Sequence, residues 1–190
     1  GDHRDLHSFP TRRLPIYDAD PIMENDKVGL SDLTGQLMAE GTQTKSKEQI
    51  DNEIDFIGAS LYTSADGVYL SSLSKHTDKA LEIASDIMMN PSFPKEQLDK
   101  KKKQMLSSLK TISTNANAIA SRVSDVVCYG KDHPYGEVQL KEHIDNITIE
   151  DCKKHFDTYF RPNVSYLVVV GDISVEEAKS KVQKYFGKWE

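Results

Sequence analysis

The stretch GLSDLTGQLMAEGT, residues 29–42, predicts a short amphipathic helix, and the interpretation of the remaining chain follows from it. Leu30, Leu33 and Leu37 recur at helical spacing, so they share one face of that helix. Gly41 follows the last turn, where a residue without a side chain readily ends a helix. We therefore expect this helix to bury its leucine face in the core of the fold.

The composition is that of a folded globular protein. The chain has 190 residues, of which 37% are apolar and 28% charged, with a formal net charge of −6. This length is sufficient for one domain with its own core. No apolar run approaches the roughly 20 residues of a membrane-spanning helix, and the negative charge argues against nucleic acid as a partner. The basic run Lys100 to Lys103 is interpreted as a solvated helix face.

Cys128 and Cys152 are the only cysteines. Neither belongs to a Cys-x-x-Cys pair, so the pattern favours two ordinary, half-buried thiols over a metal or redox site. A disulfide between them would require the fold to bring the two residues close together. Two thiols do not decide the redox compartment.

The first 17 residues, GDHRDLHSFPTRRLPIY, show neither a helical nor a strand period. Residues 1–13 resemble, without a mismatch, the conceptual translation of a common sequencing-library adapter, and the last four follow if one base is lost. We interpret residues 1–17 as foreign to the fold, the alternative being an ordinary flexible arm. The remaining residues, 18–190, are then expected to form a single, N-terminally truncated domain of a longer chain.

Local signals downstream of the first helix predict further helices and one hairpin. Ser46 and Gln49 form a capping-box pattern at the start of the second helix. In residues 59–74, Asp66-Gly67 marks the tight turn of a β-hairpin. Further helices are predicted over residues 75–89, 95–113 and about 119–127, and after Thr148 and Ser174.

Two of these helices and one strand carry specific packing expectations. The segment NVSYLVVVGD, residues 163–172, predicts an apolar strand in the middle of a sheet. The inward side chains are expected to be Leu98, Met105, Leu109 and Ile112 in the long helix, and Val175, Ala178, Val182 and Tyr185 in the last one. The fold class is therefore α+β, with a largely antiparallel sheet flanked by helices. Three strands are fewer than the usual four to six or so, so we expect the missing ones upstream of Gly29.

Five stretches of the sequence, in this order, resemble the pitrilysin and processing-peptidase family (M16) of zinc metallopeptidases. They are GLSDLTGQLMAEGT, the segment from EIDFIGASLYTS to NPSFPKEQLD, YGKDHPYG, TYFRPNVSYLVVVGDIS and FGKW. The resemblance implies a sheet flanked by helices, used as pairs of similar domains that close around a peptide.

Active members of that family carry His-x-x-Glu-His in the first helix, where two imidazoles bind zinc and the glutamate activates the metal-bound water. The resemblance places Asp32 and Gln36 at the two histidine positions, Gly35 at the catalytic base, and Ser108 near a later glutamate ligand. Gln36 is a poor zinc ligand and Gly35 offers no base. We therefore expect no catalytic residue, no bound metal and no cofactor in this chain, which is predicted to be inactive alone.

The pattern G-L-S-D-L-T with E-G-T resembles the second, non-catalytic half of long two-repeat bacterial members. This implies that the chain packs against a zinc-bearing M16 domain of the same or a sister chain and helps to enclose a peptide substrate. The alternative is a purely structural or assembly subunit without a peptidase partner. An independent hydrolase would need a nucleophile or metal set that the sequence does not offer, and His133 in DHPYG is interpreted as structural. The sequence indicates neither the substrate-binding residues nor a periplasmic or cytoplasmic location.

Overall fold

The computed structural model describes residues 22–190 and the backbone of residues 16 and 17. Short 3-10 turns join the regular elements. The strands are β1 (Ile16–Tyr17), β2 (Ser60–Ser64), β3 (Gly67–Ser71) and β4 (Ser165–Tyr166). The helices are α1 (Leu30–Met38), α2 (Lys47–Phe56), α3 (Thr77–Met89), α4 (Lys95–Ile112), α5 (Ala116–Tyr129), α6 (Lys141–Asn146), α7 (Ile149–Tyr159) and α8 (Val175–Phe186).

The core forms where α1, α2 and α3 pack on the β2–β3 hairpin. Leu33 and Leu37 of α1 are fully buried. Ile83 and Ile87 of α3 are at most 1% exposed. Leu30 is only half-buried because it begins the helix. The first helix and its inward leucine face are therefore confirmed, and so is the α+β class of the fold.

The hairpin is confirmed, but its turn lies one residue earlier than the sequence pattern predicts. In the antiparallel register Ser64 pairs with Gly67, which leaves Ala65 and Asp66 as the two turn residues. Gly67 opens β3 with a φ of +128°, a conformation that glycine adopts without a side-chain clash. The Asp-Gly pair thus marks the end of the turn and the start of the second strand.

The strand predicted over residues 163–172 is shorter than expected, and among the described residues it does not lie in the middle of a sheet. Only Ser165 and Tyr166 form a strand, and they pair antiparallel with Tyr17 and Ile16. Residues 167–170 keep the alternating exposure of a strand but have no strand partner among the described residues. An apolar, β-branched run predicts an extended backbone, whereas a central place in a sheet requires a neighbour on each side.

The segment interpreted as foreign lies mostly outside the described residues. Within it, the backbone of Ile16 and Tyr17 pairs with β4, so these two residues take part in a small ladder. The adapter origin of residues 1–17 and the domain limits 18–190 stay predictions.

The capping box predicted at the start of α2 forms. Ser46 Oγ accepts from the backbone N–H of Gln49 at 3.3 Å, and Gln49 Oε1 accepts from the N–H of Ser46 at 2.8 Å. Thr148 and Asp151 make the same reciprocal pair at the start of α7. Each box satisfies backbone donors that a helix start would otherwise leave free.

The later helices are much less buried than the sequence predicts. Helix α4 buries Leu98 alone, and Met105, Leu109 and Ile112 are half-buried. Val175, predicted to point inward from α8, is exposed because it lies in the first turn, beyond the contact with α3. The remaining α8 residues named above are half-buried.

The two cysteines occupy opposite environments, which corrects the prediction of two half-buried thiols. Cys128 is exposed at the end of α5, whereas Cys152 is fully buried where α7 packs against α1. Burial raises the pKa of Cys152 to about 11, despite a hydrogen bond with Thr34. Its thiol is therefore protonated and inert. Across residues 22–190, none of the helices combines the length and apolar character needed to cross a membrane.

Candidate functional site: a cleft beside the first helix

The start of α1 is held by a carboxylate that lies outside the helix. Glu24 accepts from the backbone N–H groups of Gly29 and Ser31 at 2.5 and 2.6 Å, and from the Ser31 hydroxyl. A negative charge at this end of a helix also interacts favourably with the helix dipole. Glu137 in turn accepts from the backbone N–H groups of Glu24 and Asn25 at 2.6 to 3.1 Å. Together these bonds join the loop before α1 to the loop after α5.

Gly35 lies in the middle of α1, directly beneath the hairpin turn. A Cβ atom at this position would lie 2.1 Å from the carbonyl carbon of Ser64 and 2.5 Å from the backbone nitrogen of Ala65. Both atoms belong to the main chain, so a clash cannot be relieved by a rotamer change. The hairpin therefore occupies the space that any larger side chain at residue 35 would need.

The four positions that the family resemblance singles out are not gathered into one site. Asp32 lines a cleft at the start of α1, and Gln36 follows it one turn later, half-buried. Ser108 is exposed in the C-terminal half of α4 and does not line that cleft. Among the described residues, no three His, Cys, Asp or Glu side chains are placed to share a metal ion. These residues do not fit a zinc site, which requires three or four nitrogen, sulfur or oxygen ligands.

The cleft beside α1 has a volume of about 630 Å³. Its lining includes Asp32 of α1 and Asp66 of the hairpin turn, together with Arg122 of α5 and Tyr135 of the loop after it. His155 of α7, the helix that packs against α1, also lines the cleft.

Two groups in the cleft have shifted pKa values. Burial raises the pKa of Asp32, although its side chain reaches the solvent at the rim, and the charges of Glu24 and Asp66 raise it further. Burial lowers the pKa of His155, and the charge of Glu24 offsets only part of that effect. His155 is 7% exposed, and this burial favours the neutral form of its ring.

His133 has the geometry of a loop residue, in agreement with its structural interpretation. Its Nδ1 accepts from the backbone N–H of Tyr135 at 3.1 Å, which caps the short turn Pro134–Gly136. Its ring stacks on Tyr129 at 5.3 Å between centroids. These contacts fix a loop whose residues Pro134 and Tyr135 line the cleft.

Sequence reasoning missed several residues that build the cleft. Glu24 and Glu137 are 113 residues apart, and no local pattern connects them. Arg122 lies on a helix whose sequence shows only an apolar period. His155 stands among polar residues on its helix, and its burial depends on the packing of α7 against α1. The spacing of His155 and Tyr159 on one face was the only available signal.

The comparisons with known proteins agree with this fold. The family model described as insulinase (peptidase family M16) matches residues 21–128, and the peptidase M16 inactive domain model matches residues 146–190. An M16 inactive-domain crystal structure from Pseudomonas fluorescens matches with a TM-score of 0.85 and 23% identity, covering 96% of this chain and 46% of that one.

Curated relatives carry similar descriptions. An uncharacterized zinc protease of Bacillus subtilis, YmxG, is 26% identical over 168 residues, covering 85% of this chain and 41% of the relative. The mitochondrial-processing peptidase subunit beta of Saccharomyces cerevisiae is 27% identical over 179 residues, covering 90% and 38%. This chain thus spans about two fifths of the length of these two relatives. Because the family model covers more than half of the sequence, the chain belongs to the peptidase family M16.

Proposed function

We propose that this chain is the non-catalytic half of an M16-type zinc peptidase. In this role it packs against a zinc-bearing domain, on the same or a sister chain, and helps to enclose the peptide that the partner cuts. The observation that carries the proposal is the contact between the hairpin turn and Gly35, where the main chain fills the space of any side chain at the position that the family resemblance assigns to the catalytic base. A helix covered in this way supports the fold but holds no base to activate water.

The names of the relatives support zinc in the partner domain. One is a zinc protease, and another is the beta subunit of a processing peptidase and so belongs to an assembly of more than one chain. Both are more than twice as long as the part that this chain matches. Zinc and its nucleophilic water are therefore assigned to the partner, and support of the peptide chamber to this chain.

An uncovered apolar stripe on α5 supports docking against another domain. Ile119, Val123 and Val127 follow each other at intervals of one helical turn and are 43%, 56% and 78% exposed. No residue of α5 is fully buried, and its half-buried residues, Ala118, Arg122 and Val126, lie outside the stripe. A contiguous apolar stripe on a helix surface is typical of a face that another protein surface covers.

The test is a reconstitution with the zinc-bearing M16 domain encoded in the same or a neighbouring reading frame. Cleavage of a quenched fluorescent peptide by that domain is measured with and without this chain. We expect cleavage to rise when the wild-type chain is added, and to rise much less with the double variant Val123→Glu/Val127→Glu. The matched control, Ser121→Glu/Cys128→Glu, adds the same charge at two exposed positions on the side of α5 away from the stripe and should behave as wild type.

Each other outcome has a distinct meaning. A chain that neither binds the zinc-bearing domain nor changes its cleavage contradicts the proposal. A chain that forms a complex through the α5 stripe but leaves cleavage unchanged supports the structural-subunit alternative instead.

A further inference from the structure

A second cleft lies beyond the end of α1, between the loop that leads to α2 and the start of α4. It has a volume of about 500 Å³ and is lined by residues 40–48 together with several of residues 92–97. This volume lies within the range of roughly 300–1,000 Å³ that is usual for small-molecule sites. The second cleft shares no lining residue with the cleft beside the start of α1, so it is a separate place in the fold.

Two residues that line the second cleft each contain a buried oxygen atom without a hydrogen-bond donor. Glu40 is 7% exposed, and its Oε1 forms an ion pair with Lys101 Nζ at 2.9 Å, whereas its Oε2 is buried and has no partner. Gln97 Oε1 is also buried without a partner. Gln97 precedes Lys101 by one turn of α4, so it lies on the face of that helix that meets Glu40. Buried acceptors without a donor are costly, so a donor that reaches them is bound favourably.

The charges around the second cleft favour a cation. Lys45 and Lys47, which line it, form ion pairs of 2.6 to 3.2 Å with carboxylates that do not line it. Glu48 and Glu96 also line the cleft, both are exposed, and neither forms an ion pair with the described residues. Its unpaired charges are therefore negative, and a cleft lined by one sign of charge concentrates ligands of the opposite sign.

A primary ammonium group suits the two buried oxygens better than a metal ion does. An ammonium group donates three hydrogen bonds, and Lys101 already donates one such group to the other oxygen of Glu40. Calcium and magnesium need about six or more oxygen ligands. Among the described residues, no three His, Cys, Asp or Glu side chains are placed to share a metal ion.

We propose that the second cleft binds a linear aliphatic diamine, of the size of 1,4-diaminobutane. One ammonium group donates to Glu40 Oε2 and Gln97 Oε1, and the other lies at the rim, in the field of Glu48 and Glu96. The side chain of Gln97 belongs to a half-buried residue, and its rotation gives the ammonium group access to the two oxygens. The inference goes beyond the proposed function because it requires neither a partner domain nor a peptide.

The test is equilibrium dialysis of the 190-residue chain against radiolabelled 1,4-diaminobutane at pH 7 and an ionic strength of about 0.15 M, which screens distant surface charges. Butylamine, with one ammonium group, and 1,4-butanediol, with none, serve as comparisons. We expect saturable binding of the diamine at one site and no saturable binding of the diol. Butylamine should bind about fivefold more weakly than the diamine, as the loss of one exposed ion pair predicts.

Three results of this dialysis would overturn the proposal. They are the absence of saturable diamine binding, equal binding of the diamine and the diol, and complete displacement of the diamine by an equal concentration of calcium ion. The last result would indicate a site for inorganic cations.

Matched variants assign the two ends of the diamine. Gln97→Leu should weaken the binding of both amines about tenfold, because one hydrogen bond to a charged group is lost. Glu48→Gln/Glu96→Gln should weaken diamine binding to the level of butylamine and change butylamine binding by less than about twofold. Glu176→Gln, an exposed change on α8 outside the cleft, is the control and should bind as wild type. If this control weakens diamine binding as much as Gln97→Leu does, the attraction is non-specific and the proposal is wrong.

Measurements of folding separate the proposal from a purely structural role of Gln97. If the amide group of Gln97 instead turned to donate to Glu40, both oxygens would be satisfied within the chain. Gln97→Leu would then lower the urea midpoint, and wild type would not bind the diamine. The proposal predicts a urea midpoint and a far-UV circular dichroism spectrum close to wild type for each variant. A variant that keeps both and also keeps full affinity for the diamine contradicts its assigned contact.

Discussion

Helices α3 and α5 have nearly equal lengths and similarly amphipathic sequences, yet their surroundings differ completely. Helix α3 has 13 residues, eight of them buried between the hairpin, α8 and the rest of the core. Helix α5 has 14 residues and buries none. The comparison teaches that a helical period predicts an apolar face, whereas only the tertiary contacts decide whether that face is covered within the chain.

The largest loss of stability is expected from shortening a buried side chain of α3, the helix that is covered within the chain. Ile87→Ala in α3 removes a fully buried side chain and should lower the free energy of unfolding by about 4 kcal/mol. Val123→Ala in α5 should change it by no more than about 0.5 kcal/mol, because that side chain is exposed. Urea unfolding measures both. Equal losses of stability from the two substitutions would mean that α5 is packed as tightly as α3.

The next effect tests the contact between the hairpin and α1. Gly35→Ala places a methyl group on the backbone of Ser64, and we expect a loss of about 3 kcal/mol, at the upper end of what overpacking costs. Alanine is otherwise the better helix former, so without this contact the change would stabilise α1.

The control for that change is Gly58→Ala. Gly58 has a φ of +60° and open space around it. Gly58→Ala should therefore lower the free energy of unfolding only through backbone strain, by about 1 kcal/mol. If Gly35→Ala were neutral or stabilising in urea unfolding, the hairpin would not occupy the space of a side chain at residue 35.

A smaller effect concerns the attachment of α8 to α3. Asp78 accepts hydrogen bonds from Lys181 and from the Tyr185 hydroxyl, the latter at 2.9 Å, and these lower its pKa from 3.8 to about 2. The folded pKa lies below the unfolded one, so this stabilisation is complete above about pH 5 and is lost as the pH falls towards 2. Because Asp78 is about half exposed, we expect it to contribute less than about 1 kcal/mol.

That contribution is measured by the pH dependence of urea unfolding between pH 5 and 2. Wild type should lose more stability over this range than Asp78→Asn, which has no carboxylate to protonate. Identical pH profiles for the two proteins would show that the contact does not stabilise the fold. The exposed Asp125→Asn serves as the control and should follow wild type.

Substitutions on the uncovered apolar surfaces are expected to have the smallest effect on stability. Their effect on self-association should instead be large. Residues 18–190 expressed alone should aggregate or bind the dye ANS, because the α5 stripe and the segment 167–170 both expose apolar side chains. Val123→Glu/Val127→Glu should reduce ANS fluorescence while the free energy of unfolding changes by less than about 1 kcal/mol. A monodisperse wild-type monomer that melts cooperatively and binds no dye would contradict this.

Local structure could be predicted from the sequence wherever neighbouring residues decide it. The capping pairs at Ser46 and Thr148, the hairpin and the leucine face of α1 depend on residues a few positions apart. The strand at residues 163–172 was misjudged because its pattern indicates an extended backbone but not a partner strand. The prediction of an extended backbone thus agrees with the alternating exposure of residues 167–170, whereas the prediction of neighbouring strands on both sides is wrong for the described residues.

The candidate site was predictable only in its first helix. The family resemblance drew attention to Asp32, Gly35 and Gln36, and their assignment to ligand and base positions stays a prediction. The contact of Gly35 with the hairpin, the bond between Glu24 and Glu137, and the burial of His155 depend on residues distant in sequence. A single sequence contains no periodic signal for contacts of that kind.

The zinc content of the purified chain, measured together with its peptide cleavage, tests the central claim most directly. After dialysis against zinc and removal of the excess, elemental analysis should find far less than stoichiometric zinc, and no cleavage that a chelator abolishes. Stoichiometric zinc accompanied by chelator-sensitive cleavage would contradict the claim that this M16 chain has lost its catalytic site.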